Sequence, residues 1–344
     1  MSANTFLIDQ YTRHQTYVER YSTSERKKMV KYLNETVKLI EGMLDDANTE
    51  FSQNRFESLL KSLNTALRDQ YKLMSNDIII NATKFAKQEL EYNKNILNTA
   101  TVDNYDVFVP DYEVLAEAAL SSKLTLNSKQ HDVRSLLAEF SDKQVNTLLN
   151  QIRTGVANGF TIPEIRDQVL SKAKLQRKQA DTLIRTVNNH ISSDARKKVL
   201  ENNQEILEGF RVIATLDSKT TFICASKDQK VFDLDEPRPP YHYRCRTVHT
   251  PVLKQEYQAA IPGLTTRAAR IDGKTEQIGA YKTFEGYLSD QPIEFQKDYL
   301  GPTRYKLWKQ GNLKIDKFVD YNDNELSLDE LRAREPEAFD KAGI

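Results

Sequence analysis

The sequence predicts an α+β fold that is mostly α. Three observations carry that prediction. Only 11 Gly and 10 Pro occur among 344 residues, with 28% charged and 39% hydrophobic residues, a mix that suits a helix-rich globular chain. The first hundred residues carry apolar side chains three and four apart over long stretches. One short β-branched run, Gly209 to Leu216, interrupts the helical pattern and precedes a proline-rich loop. The expected architecture is a long N-terminal helical hairpin, a helical middle, a small antiparallel β-element and an extended C-terminal tail with short helices. The expected segments are a helical arm or coiled-coil hairpin over 1–100, a linker and short helix over 101–127, a core of helices plus small sheet over 128–255, and a tail over 256–344.

Composition also narrows the function. Lys+Arg and Asp+Glu are both 49, so no global basic field exists to hold nucleic acid, and DNA contact needs a local patch. Two cysteines build no disulfide framework and suit a reducing compartment. Met1 to Arg20 contains no apolar core of signal-peptide length, and no apolar run reaches the roughly 18 residues that span a bilayer. The expectation is a protein made in a cytoplasm, without a membrane anchor.

In the first segment, Ser22 or Ser24 is the expected N-cap, with Glu25 in the first turn. The stripe Val30, Leu33, Val37, Ile40 and Leu44 follows. Asp45 to Gln53 reads as a turn. A second stripe runs through Phe56, Leu60, Leu63, Leu67, Tyr71, Met74, Ile78, Ala82 and Phe85, and the two helices are expected to pack antiparallel. Such a hairpin has little core of its own. It either closes within the chain or lies on another subunit.

Val107 to Pro110 ends the helical pattern. Helices are then expected from Asp111 or Tyr112, over Ser128 to Phe140, and over Asp142 to Val156. Gly159 marks a helix end, Thr161 an N-cap, and Pro163 and Glu164 the next first turn. A long helix is expected from about Leu175 to Glu201. Gly209 to Leu216, Val231–Phe232 and Thr247 to Thr250 are candidate strands of a small antiparallel sheet on that helix. Pro262–Gly263 reads as a turn and Thr265 to Gln277 as an irregular loop. Short helices are expected from Thr283, Asp290 and Leu300, with Pro302 in a first turn and Gly311 at an end. Ser327 and Glu330 form a capping-box pair.

Both cysteines and two of the five histidines fall between Gly209 and Pro251. Thr215, Asp217, Thr220, Cys224, Pro239, Pro240, His242, Cys245 and Arg246 follow one another in an order that resembles the phage Mu F-like head morphogenesis proteins, the minor head or minor capsid proteins of tailed phages. The resemblance extends over about Ser128 to Ile344. Thr221, Tyr243 and Thr247 depart from it, standing where that family usually has Cys, Pro and Cys.

The resemblance implies a virion protein of head assembly, held in few copies near the portal or inner capsid, which contacts packaged DNA or leaves with it. The implied partners are the portal protein, the major capsid or scaffolding protein and packaged double-stranded DNA. The implied places are the phage head and, during assembly, the host cytoplasm. A different class stays open: a DNA-binding or delivered effector protein carrying a Mu F-like module.

No phosphate-binding Gly loop or metalloprotease helix motif is present, and the chain is expected to be non-enzymatic. A Cys224–His242 nucleophile would need an orienting group and an oxyanion site; Asp217 could be cast as the orienter, but the sequence offers no independent support for it. Cys224, His242 and Cys245 are three zinc-type ligands, with His249, Asp217 or nothing as the fourth. The expectation is no cofactor, with zinc kept open beside packed thiols and a Cys224–Cys245 disulfide. Thr215, Asp217, Thr220, Pro239, Pro240 and Arg246 are expected to be structural. Asp217 suits an Asx-type turn, and Arg246 can bind loop carbonyls or Asp217. The DNA-contact candidates are Arg177, Lys178, Arg185, Arg196, Lys197 and Lys198 on the long helix.

Overall fold

A computed structural model of the protein describes residues 2–46, 53–261, 265–271 and 273–344. The expected Pro262–Gly263 turn, and residues 47–52 of the expected Asp45 to Gln53 turn, lie outside the described residues. Helices dominate, and the strands pair antiparallel in small sheets. The chain divides into two units. Unit 1 holds Met1–Tyr17, Leu90–Pro110 and Arg196–Ile344, and unit 2 holds Val18–Glu89 and Asp111–Ala195.

Unit 2 is a helical bundle. It takes most of three long helices, α1 (Ala3–Asp46), α2 (Gln53–Ala100) and α5 (Ile162–Glu201), with all of α3 (Tyr112–Ser121) and α4 (Val133–Ala157). α1 and α2 are antiparallel, as expected: Tyr21 stacks on Phe85 with ring centroids 4.2 Å apart, and Gln70 donates to Glu35. α5 runs antiparallel to α1, with Arg177 donating to Asn34 and Asn188 to Ser22. It runs parallel to α2, with Ser192 donating to Glu89 and Tyr71 to Gln176. The second stripe is buried from Leu60 to Phe85. The first passes through Met29, Leu33, Val37, Ile40 and Leu44, with Val30 only half-buried. Both stripes are therefore covered inside the chain.

Four local expectations are corrected here. Ser22 caps nothing: α1 begins at Ala3, and the Ser22 hydroxyl donates to the Val18 carbonyl at 2.8 Å inside the helix. Ser128 does not open a helix. A hairpin of β1 (Leu124–Leu126) and β2 (Lys129–His131) turns at Asn127 and Ser128, both at positive φ, and Asp132 caps α4 with a capping box. α4 then continues through Ser141 and Asp142, where a break was expected, and the Ser141 hydroxyl donates to the Leu137 carbonyl. At the next junction Gly159 takes positive φ and Thr161 exchanges bonds with Glu164, as expected. α5 starts there, at Ile162, well before Leu175.

Unit 1 centres on a sheet ordered β4 (Val231–Phe232), β3 (Leu207–Ile213), β5 (Val248–Leu253), all antiparallel. Its meeting with the end of α5 is direct: Arg196 donates to the His249 carbonyl of β5 at 2.6 Å. Between β3 and β4 lies α6 (Phe222–Lys227). The loop from Thr101 to Asp111 is non-helical and tied down by buried Asn203, which both donates to and accepts from the Phe108 backbone. The expected irregular loop from Thr265 is instead a hairpin of β6 (Thr266–Ile271) and β7 (Lys274–Gly279). Its polar sequence hid it, because Arg267 and Ala269 face inward while its second strand is exposed.

The tail forms α7 (Phe284–Asp290), α8 (Ile293–Lys309, broken at Gly301), α9 (Leu328–Arg334) and α10 (Pro336–Ala342). These short helices fold back onto the sheet region. Phe222 of α6 lies edge-on to Tyr299 and Phe318, in one core with Phe284, Tyr287, Trp308 and Phe339.

Candidate functional site

The loop that holds both cysteines is built from two short segments, and each is locally determined. β3 ends at Ile213, Ala214 to Leu216 follow, and Asp217 closes a turn by accepting from the Lys219 backbone N–H at 2.9 Å. Thr221 then caps α6 by accepting from the Cys224 N–H, which fixes Cys224 in the helix's first turn. The second segment passes through a cis Pro239–Pro240 bond and bends at Arg244, with the Cys245 N–H donating to the His242 carbonyl.

Arg246 joins the two segments. Its guanidinium forms a two-pronged bond to Asp217, Nη1 to Oδ2 at 2.5 Å and Nη2 to Oδ1 at 2.8 Å. The Thr215 hydroxyl donates to the Arg246 carbonyl, and the Thr220 hydroxyl donates to the Thr215 carbonyl. Burial raises the Asp217 carboxyl, but the Arg246 bond and charge and the Lys219 N–H outweigh it and hold the group below its ordinary range. Of the Asp217 and Arg246 alternatives weighed from sequence, the turn and the Asp217–Arg246 pair are both formed.

At the centre, the Cys224 and Cys245 sulfurs lie 3.6 Å apart, and His242 Nε2 lies 3.1 Å from the Cys224 sulfur. The three ligand atoms fall within 4.8 Å of one another. Both thiols are buried in one cluster with Ala214, and Tyr241 packs against it. His242 Nδ1 sits 2.8 Å from the Tyr243 carbonyl, so Nδ1 carries a proton and Nε2 is turned towards the sulfurs. The hydroxyl of Thr221 is 3.1 Å from Nε2. A cavity of about 10 Å³ adjoins the cluster, lined among others by Thr221, Thr247, Lys219 and Arg244.

The electrostatics split the two thiols. The Cys245 bond and burial push Cys224 well up. Burial also opposes ionisation of Cys245, but bonds from Cys224 and His242 and the His242 charge hold it well below the ordinary thiol value. His242, disfavoured as a cation by burial, is nevertheless raised by its bond to Cys245 and that sulfur's charge.

Neither residue considered as a fourth ligand joins the cluster. Asp217 is committed to Arg246, and His249 sits in β5 edge-on to Phe210, kept neutral by burial and by Arg196. Asp217 also does not orient His242; the Tyr243 carbonyl does.

The basic side chains of α5 are placed unevenly. Arg196 is an interior residue, 2% exposed, donating to Asn93 and lying 4.0 Å over the Tyr11 ring. Arg185 is held by Asp181 and Glu19, and Lys197 and Lys198 by Glu201. Arg177 and Lys178 are exposed.

Residues 146–250 match the family described as Phage Mu protein F like protein. This segment is similar to that family. The match begins within α4 and ends within β5, and so takes in all of α5, the Asp217 turn, α6 and the sulfur cluster. It agrees with the resemblance drawn from the motif order, over a shorter span. Neither the curated proteins nor the solved structures compared with the chain match it.

Unit 1 has a second hub that the sequence did not reveal. Asp228, just after α6, accepts from the Ala214 and Phe284 N–H groups and forms a two-pronged bond with Arg267, both side chains fully buried. Arg267 lies 39 residues away, beyond the family match, in what reads as a polar loop. No local pattern links the two.

Proposed function

We propose that this protein acts in head morphogenesis of a tailed phage, as a non-enzymatic minor head protein held in few copies near the portal or inner capsid. The observation that carries this reading is the Mu F-like domain at residues 146–250. The geometry of the motif supports a structural role. Asp217, Thr215, Thr220 and Arg246 bond to one another and to backbone, and spend their polar atoms on holding two loop segments together. The partners in this reading are the portal protein and the major capsid or scaffolding protein. Arg177 and Lys178 are the side chains it retains for packaged DNA. Among the described residues no helix is long and apolar enough to cross a membrane.

Co-expression with the cognate portal and capsid proteins tests the proposal. The expected result is co-purification with one of them, and defective or missing heads when the gene is deleted. Normal heads in its absence, with no co-purification, would overturn it.

A further inference from the structure

We propose that Cys224, His242 and Cys245 bind one zinc ion, with a water completing the coordination shell. Three features of the loop support this independently of the protein's place in a phage head. The first is spacing. Tetrahedral zinc, with Zn–S near 2.3 Å and Zn–N near 2.0–2.1 Å, sets its ligand atoms about 3.5–3.8 Å apart. The sulfurs are 3.6 Å apart and His242 Nε2 is 3.1 Å from the Cys224 sulfur, so a small inward or outward breathing of the ring accommodates the ion.

The second feature is the orientation of the imidazole. A histidine that ligates zinc through one nitrogen almost always donates its other N–H to a carbonyl or carboxylate, which fixes the tautomer. His242 Nδ1 is 2.8 Å from the Tyr243 carbonyl, and this leaves Nε2 facing both sulfurs.

The third is the fourth position. No acid or further histidine joins the cluster among the described residues. Instead the adjoining cavity measures about 10 Å³, which is the size of one water. Thr221 and Thr247 line it and supply hydroxyls to such a water. Lys219, Arg244 and Arg246 line it too. The ligand donors are two soft sulfurs and one imidazole, a set suited to zinc and unsuited to magnesium or calcium. In the fold the ion would tie the first turn of α6 to the loop before β5, next to the Asp217–Arg246 bond.

The test uses the full chain, purified without chelator under reducing conditions, and measures zinc by mass spectrometry together with free thiols. The expected result is about one zinc per chain, falling to near zero in Cys245→Ser and in His242→Ala. Replacement by cobalt gives a measurement that needs no variant. Binding at this site predicts a sulfur-to-cobalt charge-transfer band and the intense visible bands of tetrahedral cobalt. Both thiols free with no zinc uptake, a Cys224–Cys245 disulfide in the reduced preparation, zinc retained by both variants, or cobalt bound without thiolate bands would each overturn the proposal.

Discussion

At the scale of single residues, the chain's most informative side chains are those whose polar atoms are fully used. Asp132 illustrates this in unit 2. It caps α4, exchanges bonds with Ser135, and pairs with Lys123 at 2.5 Å. The Lys123 bond, aided by the Ser135 N–H, lowers its pKa to about 2. An unfolded aspartate titrates near 3.9, so the folded value is the lower one. Stability from this charge is then fully present above about pH 4 and is lost as the pH falls towards about 2. Asp132→Asn keeps an N-cap acceptor and removes the charge. Thermal midpoints of the two proteins, measured from pH 6 to pH 2, should differ most at the upper end and converge at the lower. A constant difference would show that the charge contributes nothing.

At the scale of elements, glycine decides where α8 breaks. Gly301 has φ 71° and ψ 162°, a region that side-chain-bearing residues avoid, and Pro302 then starts the next helical turn. No atom lies within 4 Å of an added Cβ, so the cost of substitution is conformational and not steric. Gly301→Ala should lower unfolding free energy by about 1–3 kcal/mol in denaturant titration. An unchanged midpoint would mean the two halves can join as one helix. This break was legible in the sequence, because Gly-Pro is local chemistry. The β6–β7 hairpin was not. Its first strand alternates only weakly, and its fully buried residue is Arg267, which no hydrophobic pattern can flag.

At the scale of the whole molecule, unit 1 depends on one buried pair. Asp228 and Arg267 link α6, β6 and the first turn of α7, and Asp228 also satisfies the Ala214 and Phe284 N–H groups. Removing one partner leaves a buried charge uncompensated, at a cost of about 3–5 kcal/mol. Arg267→Met should therefore lower the unfolding midpoint of unit 1 sharply, with unit 2 changed far less. The difference is readable by hydrogen exchange of the tail helices against that of α3 and α4. Equal loss in both units would contradict the division. Tyr299 reinforces the same assembly, donating to the Thr220 carbonyl beside the Asp217 turn.

The sequence alone determined what is periodic or local. It set the mostly helical α+β class, the antiparallel α1–α2 pair, the Thr161 and Ser327 starts, the three-stranded sheet and the motif order that resembles the Mu F-like family. These follow from spacing and from caps within a few residues. Only the tertiary structure decided which polar side chains are interior. Arg196 against Tyr11 and Arg267 on Asp228 have the composition of surface charge and the burial of a core. The same holds at the cysteine loop. Two cysteines and a histidine are visible in the sequence, but 18 and 21 residues separate Cys224 from His242 and Cys245. Their convergence depends on the Asp217–Arg246 bond and the loop that the tail packs against. Contacts made across such distances depend on the path of the whole chain, and no local pattern encodes that path.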